Sequence, residues 1–553
     1  MIERPGADEL LFLALGGAGE IGMNLNLYGH AGKWLMIDLG VTFGGDATPG
    51  IDVIMPRIDF IEERRRDLAG LVLTHAHEDH IGAVPYLWPR LRCPIYATRF
   101  TANLVRQKLH EVGLSDAAKV TVIPMSGEFQ VGPFALELVT LTHSIPEPNA
   151  VVIRTPLGTV VHTGDWKLDP DPLIGPVADE AALRKLGEEG VLAMVCDSTN
   201  ALVHGASGSE AEVRDSLHDL IGTLGGRIAV ACFASNVARV QSIARVAAAH
   251  DRHVALVGRS LWRITQAARD TGYLQDLPAF ITEHDIAYLP RDKVLLICTG
   301  SQGEPRSALA RIAREDHPTV SLEPGDTVVF SSRIIPGNEH AIGQLQNDLA
   351  RLGVEIVTER DHFVHVSGHP ARDELTSMYQ WVRPKIAIPV HGEARHLAAH
   401  ARLAKSCQVP QALVIENGAI VRLAPGAARV IDDAPTGRLG LDGPNLLAMD
   451  GPVMRTRHRM LYNGSAVATL VLDRSGKLIG DPRVTVHGLL DPEDNAEAVA
   501  DVATAIAEAV RKIAPKDRAD DGAVKEAARL ALRRSLNASH GKKPVTDVHL
   551  IRV

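Results

Sequence analysis

The sequence predicts an α/β protein: sheets covered by helices, a parallel α/β domain inserted into them, and a small α+β domain at the C-terminal end. Three observations carry this. Before residue 207, strand-like apolar runs recur with sparse helical pattern between them, about 83–91, 99–112 and 180–187, which argues helix-covered sheets and against a doubly wound fold. From about 207 the texture changes, and short buried-type runs at 227–233, 253–257, 294–299, 327–331 and 354–357 alternate with helix-like stretches at 236–250, 259–273, 305–314 and 338–352. Such alternation means a parallel sheet. Finally, strand ends bearing His and Asp occur on both sides of that stretch, so it reads as an insertion.

The elements follow in order. The run at 10–15 is a strand, and Gly17-Ala18-Gly19-Glu20-Ile21-Gly22 after it fits a dinucleotide-binding loop, with Asp38 where a ribose-binding acid would fall. A helix must begin at such a loop. Instead, Met23 to Tyr28 alternates with period two, turns at 29–32 and returns through Lys33 to Asp38, which is a β-hairpin. Further strands are expected at 70–73, 95–97, 120–123, 136–140, 150–155 and 160–162. After the insert, 423–451 has no sustained period and reads as linker, with 432–437 its flexible centre. Beyond it come strands at 466–472 and 483–488, helices at 493–513 and 523–536, and a closing strand at 545–553. The expected domains are 1–206 and 363–425 for the interrupted one, 207–362 for the insert, 426–455 for the linker and 456–553 for the last.

Composition bounds the partners. At 553 residues the chain exceeds one ordinary core. Its 45% apolar and 23% charged residues are those of a soluble globular protein. No apolar run approaches the roughly 20 residues of a spanning helix. The apolar run at 10–15 follows Glu3, Asp8 and Glu9, not the basic start of a secretory signal. Cys93, Cys196, Cys232, Cys298 and Cys407 have no paired spacing, which suits buried thiols in a reducing compartment, so a cytoplasmic protein without a membrane partner is expected. A net charge of −9 does not advertise nucleic-acid binding. A phosphate-binding chain of this charge needs a local basic groove, or metal ions that carry the positive charge themselves. The stretch 511–543 has ten Lys/Arg against four acids, which suits RNA backbone or an ordinary solvated helix face.

The chemistry concentrates at Thr74-His75-Ala76-His77-Glu78-Asp79-His80, directly after the strand at 70–73. A strand ending in a sharp turn can aim His75, His77, Asp79 and His80 into one small volume. Imidazole nitrogen with carboxylate oxygen suits zinc, manganese or iron better than calcium or magnesium. Four more residues share the same strand-then-turn context: His143, Asp165 in His162-Thr163-Gly164-Asp165, His369, and His391 in Ile388-Pro389-Val390-His391-Gly392.

This ordered set, His-x-His-x-Asp-His, then a lone His, Thr-Gly-Asp and a late His, resembles the metallo-β-lactamase superfamily. Asp197-Ser198-Thr199-Asn200, Phe233-Ala234-Ser235-Asn236, Thr299-Gly300-Ser301-Gln302-Gly303-Glu304-Pro305, Pro336-Gly337-Asn338-Glu339 and His365-Val366-Ser367-Gly368-His369 resemble its β-CASP nuclease branch, and within it bacterial ribonuclease J. The wording departs from the family at 201–205 and 43–45.

The resemblance implies an αββα sandwich interrupted by a β-CASP domain. It implies two divalent ions per subunit, zinc or alternatively manganese: one on His75, His77 and His143, the other on Asp79, His80 and His391, with Asp165 bridging and Asp38 orienting ligands. Two cations about 3.5–4 Å apart generate a hydroxide at neutral pH and neutralise a phosphodiester's charge. His369 is the expected general acid and Asp197 the carboxylate that keeps it protonated. With Asp79 and His80 these complete the catalytic set. Ser235, Asn236, His365, Ser367, Gly368 and His369 are expected to bind substrate phosphate.

The implied activity is 5′→3′ exonucleolytic, preferring a 5′-monophosphate, and endonucleolytic. It would act on single-stranded RNA in mRNA decay and rRNA maturation, as a homodimer or homotetramer. Two competing readings are a small-ester or lactam hydrolase, which has no use for so large an insert, and a non-catalytic RNA-binding scaffold, which has no use for an intact ligand set.

Overall fold

Every residue of strand Leu10–Gly16 is buried, because it lies inside an eight-stranded sheet between Ala419–Ala424 and Leu25–His30. The sheet continues through Lys33–Ile37, Leu68–Val72, Ile95–Ala97 and Val120–Val122. A seven-stranded sheet runs Glu128–Val131, Phe134–Thr140, Asn149–Thr155, Gly158–His162, Ala193–Asp197, Ile386–Val390 and Gln411–Ala412. The inner faces of the two sheets meet in one core, in which Phe12, Tyr28 and Ile37 pack with Phe134, Val151, Val195 and Ile388. Helices Glu180–Glu189, Arg372–Val382 and Ala394–Ser406 cover the outer face of the second sheet through Leu183, Leu186, Met378 and Leu403. On the first sheet, Trp34 stands edge-on to Phe60 of helix Asp59–Glu63, with ring centroids 5.3 Å apart. The layers are therefore helix, sheet, sheet, helix.

This computed structural model describes residues 4–45, 47–491 and 496–553. The chain divides into two compact units, 1–42 with 55–436 and 43–54 with 437–553. Within the first, the inserted stretch forms its own five-stranded sheet in the order His253–Val257, Val294–Cys298, Ile228–Ala231, Thr327–Phe330 and Glu355–Val357. All its pairings are parallel. Both faces are covered, one by helices Glu210–Thr223 and Val237–Ala249 and the other by Ala308–Ala313 and Glu339–Arg351, which is why its strands read as unbroken apolar runs.

In the second unit, strands Arg483–His487, Ser465–Leu472 and Val545–Arg552 form a sheet. Helices Ala496–Arg511 and Asp521–His540 pack on one of its faces through Ile506, Val510, Leu532 and Leu536. The first residues of the helix expected at 493–513 lie outside the described residues. No helix among the described residues is long and apolar enough to cross a membrane. The five cysteines are free thiols, four of them buried.

The structure corrects one expectation. The stretch read as a linker, 426–455, is largely regular: Arg429–Asp433 pairs antiparallel with Ala419–Ala424, Arg438–Asp442 with Asn445–Ala448, and helix Pro452–Asn463 follows. These strands are short and only partly buried, so charged residues interrupt them and no apolar alternation shows. The division between units falls at 436/437, inside this stretch.

One buried group ties stability to pH. His400 is completely buried between the Ser198 hydroxyl at Nδ1 and the Tyr379 hydroxyl at Nε2, each at 2.8 Å. Burial pushes its pKa down to about 4. The unfolded chain takes up this proton near pH 6.5 while the native state refuses it until about 4, so stability falls as pH drops through that window. We expect this residue alone to remove about 2 kcal/mol between about pH 7 and pH 5. Urea unfolding of wild type and His400→Gln at both pH values measures it, and the variant should lose that part of the slope.

Candidate metal centre

The sheets deliver the ligands as their strands end. Leu68–Val72 leads into Thr74-His75 and the turn before the short helix Glu78–Ile81. Phe134–Thr140 leads to His143, Gly158–His162 to Asp165, Ala193–Asp197 ends on Asp197, and Ile386–Val390 leads to His391. The Gly-rich loop at 17–22 serves this end of the fold: Ala18–Gly19 pairs in parallel with Gly392–Glu393, and Gly17 O accepts from the His391 amide at 2.5 Å. It holds a turn in place where a dinucleotide loop would open a helix. Asp38 and His391 both adopt left-handed backbone, φ 63° and 52°, a conformation costly for non-glycine residues and concentrated at functional sites.

Donor atoms converge in three overlapping groups, His75, His77, His143 and Asp165, then Asp79, His80, Asp165 and His391, and Asp165, Asp197, His369 and His391, the atoms of each within 4.8 Å of one another. Asp165 belongs to all three. Its Oδ2 lies 3.1 Å from His80 Nε2, 3.4 Å from His391 Nε2 and 3.9 Å from the Nε2 atoms of His75 and His143. Asp79 Oδ2 lies 3.6 Å from Nε2 of both His80 and His391. His77 presents Nδ1, 3.2 Å from His75 Nε2 and 3.0 Å from His143 Nε2.

Hydrogen bonding behind the ligands sets their tautomers. His80 Nδ1 donates to Asp38 Oδ2 at 2.7 Å, His391 Nδ1 to Asn24 Oδ1 at 3.0 Å, and His143 Nδ1 to the Gly368 carbonyl. Thr74 Oγ1 gives its proton to Asp38 at 2.9 Å and so accepts from His75 Nδ1, also at 2.9 Å. Each of these four imidazoles therefore turns its Nε2 inward. Burial and neighbouring imidazoles push His75 and His143 well below the ordinary histidine value, and burial takes His77 down to about 4, so these three are neutral donors. Burial opposes charge on His80 too, but Asp165, Asp79 and Asp38 outweigh it and hold its pKa well up. The pocket's carboxylates favour positive charge at its centre. Asp165 Oδ1 and His391 Nε2 are buried without a hydrogen-bond partner. Neutral imidazole lone pairs, carboxylates and unpartnered donor atoms aimed at one volume fit divalent cations.

Beside this pocket, His369 Nδ1 lies 2.8 Å from Asp197 Oδ2. Asp197 Oδ1 accepts from the Thr199 amide and hydroxyl, both at 2.8 Å. Burial works against the imidazolium, but Asp197 and, behind it, Asp165 and Asp79 raise the His369 pKa to about 9. Ser367 Oγ accepts from Asn200 Nδ2 at 2.7 Å and from the His369 amide at 3.2 Å, which leaves its hydroxyl proton for another partner. His365 Nδ1 is buried without a hydrogen-bond partner. Gly368 is close to the only residue that fits, since a Cβ there would stand 2.8 Å from His143 Cε1. Asn236, expected to bind substrate, is used within the protein: it caps helix Val237–Ala249 through the Arg239 amide at 2.9 Å and donates to Glu210 Oε1 at 3.1 Å.

Sequence reasoning assigned no role to Asn24, Thr74 or Asn200, which orient His391, hold His75 with Asp38, and fasten the segment 367–369. Their only signal was a polar residue among buried neighbours. Gly164 makes the same framework tight: its φ is 58°, and a Cβ would lie 2.9 Å from Thr74 Cβ. Gly164→Ala should displace Thr74, loosening Asp38 and His75, and lower metal affinity about 10- to 100-fold. Competition with a chromogenic chelator measures this.

An αββα sandwich with this donor set and a parallel insert defines a β-CASP hydrolase of the metallo-β-lactamase superfamily. Residues 23–194 match the metallo-beta-lactamase superfamily, 225–349 the ribonuclease J beta-CASP domain, 353–410 the Zn-dependent metallo-hydrolase RNA specificity domain and 452–553 the ribonuclease J C-terminal domain. The chain is similar to ribonuclease J of Sinorhizobium meliloti, 47% identical over 99% of this chain and 98% of that one. It is 39% identical to the Mycolicibacterium smegmatis ribonuclease J over 98% of this chain and 97% of that one. An Enterococcus faecalis protein of unknown function shares the fold, with a TM-score of 0.52 at 15% identity over 75% of this chain and 100% of that one. The chain belongs to the ribonuclease J family and is a metal-dependent ribonuclease.

Proposed function

We propose that the protein hydrolyses phosphodiester bonds of single-stranded RNA with two divalent ions, zinc or alternatively manganese. His75, His77 and His143 would hold one, Asp79, His80 and His391 the other, and Asp165 both. The observation that carries this reading is the shared carboxylate, with Asp165 Oδ2 within 3.9 Å of four imidazole nitrogens from both groups. Bound there, the ions supply Lewis acidity, making water nucleophilic at neutral pH and offsetting phosphate charge.

The chain's own groups do the rest. Asp38, Thr74 and Asn24 fix the tautomers and orientations of His75, His80 and His391. Asp197 keeps His369 charged and aimed, and His369 gives its proton to the leaving 3′ oxygen. Ser235, His365, Ser367 and Gly368 receive a phosphate further along the strand. If that phosphate is a 5′-monophosphate, the enzyme digests 5′→3′ from that end; threading past the pocket gives internal cuts. Such chemistry serves mRNA decay and rRNA maturation in the cytoplasm. We further propose a homodimer or homotetramer, which light scattering tests.

Decay of end-labelled RNA carrying a 5′-monophosphate, triphosphate or hydroxyl tests the reading, with each metal restored after chelation and Asp79→Ala/His80→Ala as control. Mononucleotide release, faster from the monophosphate, is expected. Equal rates on all three, with internal cuts alone, would overturn the exonuclease assignment.

A further inference from the structure

Arg333 follows the carboxyl end of strand Thr327–Phe330, which pairs in parallel with Ile228–Ala231. Helix Val237–Ala249, after Ile228–Ala231, packs on one face of the inserted sheet, and Glu339–Arg351, after Thr327–Phe330, packs on the other. Neighbouring connections that leave to opposite faces open a crevice outside the strand ends, where open α/β sheets bind their ligands. Ser235 lies on one lip of this crevice and Arg333 on the other.

A buried anchor brings Arg333 alongside His365. Arg239, fully buried, pairs with the Glu210 carboxylate through Nε and Nη2 at 3.1 and 3.0 Å. Its Nη1 donates to Ser331 O at 3.1 Å, Ser331 Oγ at 2.6 Å and Val364 O at 2.9 Å. The segments carrying Arg333 and His365 thus leave one anchor side by side. Gln302 then clamps the loop: its Nε2 donates to Arg333 O at 2.9 Å, and its Oε1 accepts from the Ile335 amide at 3.0 Å and from Asn338 Nδ2 at 3.2 Å.

The backbone is held, yet the Arg333 side chain is exposed and, among the described residues, makes no hydrogen bond or ion pair. Its charge reaches His365: burial pushes that imidazole well below its ordinary value, and the Arg239, Arg333 and Lys167 cations push it further. A neutral imidazole with an unpartnered Nδ1 therefore lies in a field that favours an anion.

We propose that Arg333 is a specificity-determining residue that contacts the 5′-terminal phosphate of the RNA, opposite Ser235 and beside His365 and Ser367. This rests on the 5′-monophosphate reading above. A guanidinium fits phosphate oxygens bidentately, which an ammonium cannot reproduce.

The test is kcat/KM of wild type, Arg333→Ala and Arg333→Lys on one single-stranded RNA bearing either a 5′-monophosphate or a 5′-hydroxyl. Arg333→Ala should lose about tenfold or more on the monophosphate RNA and far less on the hydroxyl RNA, with Arg333→Lys between. If wild type prefers the monophosphate and Arg333→Ala keeps the full preference, or loses equally on both RNAs, the proposal is wrong while the 5′-end reading stands. If wild type does not discriminate, that reading fails and takes this assignment with it. Because Arg333 is an exposed loop side chain, loss of folding is not the expected outcome, and an unchanged thermal midpoint checks it.

Discussion

Asp165→Ala is expected to release bound metal and to lower RNA turnover at least about a thousandfold, equivalent to about 4 kcal/mol of transition-state stabilisation. The size follows from its position. Asp165 alone is common to all the donor groups. Its Oδ1 is also buried without a partner, so its charge is tolerated only beside positive charge. Metal content by mass spectrometry should fall below two ions per chain in the variant. Asp165→Asn keeps the shape but not the charge, and should behave like the alanine variant. If it retained both ions and near-full turnover, Asp165 would be a packing residue.

Asp197→Asn should produce the second-largest loss, about a hundred- to ten-thousandfold in kcat, the range typical of positioned proton donors. Its signature differs from that of Asp165. Asp197 contacts His369 at 2.8 Å and is otherwise held by Thr199 and the Thr163 hydroxyl, so metal content and KM for RNA should change little. His369→Gln should give a similar loss, and the double variant little more than either single one, because the two residues act as a unit. Additive losses would mean that the pair does not share one step. Single-turnover rates under saturating RNA give the comparison.

Much of the fold could be read in the chain, and particular residues show why. Met23 to Asp38 alternates with period two, so the hairpin outweighed the glycine pattern at 17–22, and the structure bears this out. The insert was legible because parallel strands buried on both faces become uniform apolar runs separated by helices. The stretch after 425 was not, since its strands are short, charged and half in solvent.

The candidate site divides the same way. His75, His77, Asp79 and His80 stand out because four such side chains within six positions have few structural uses. Their supports do not stand out. Asn24 meets His391 across 367 residues of sequence and Asn200 meets Ser367 across 167, and no local pattern encodes such pairs. The side chain of Asn236 has a use of the same hidden kind, since it caps the helix behind it.

Metal titration of the chelated protein, followed by hydrolysis of end-labelled single-stranded RNA, tests the central claim most directly. Activity should be absent in the stripped protein, return with zinc or manganese, and saturate at two equivalents per chain. Full hydrolysis after chelation, or none at any metal loading, would contradict a dinuclear centre built from these histidines and aspartates.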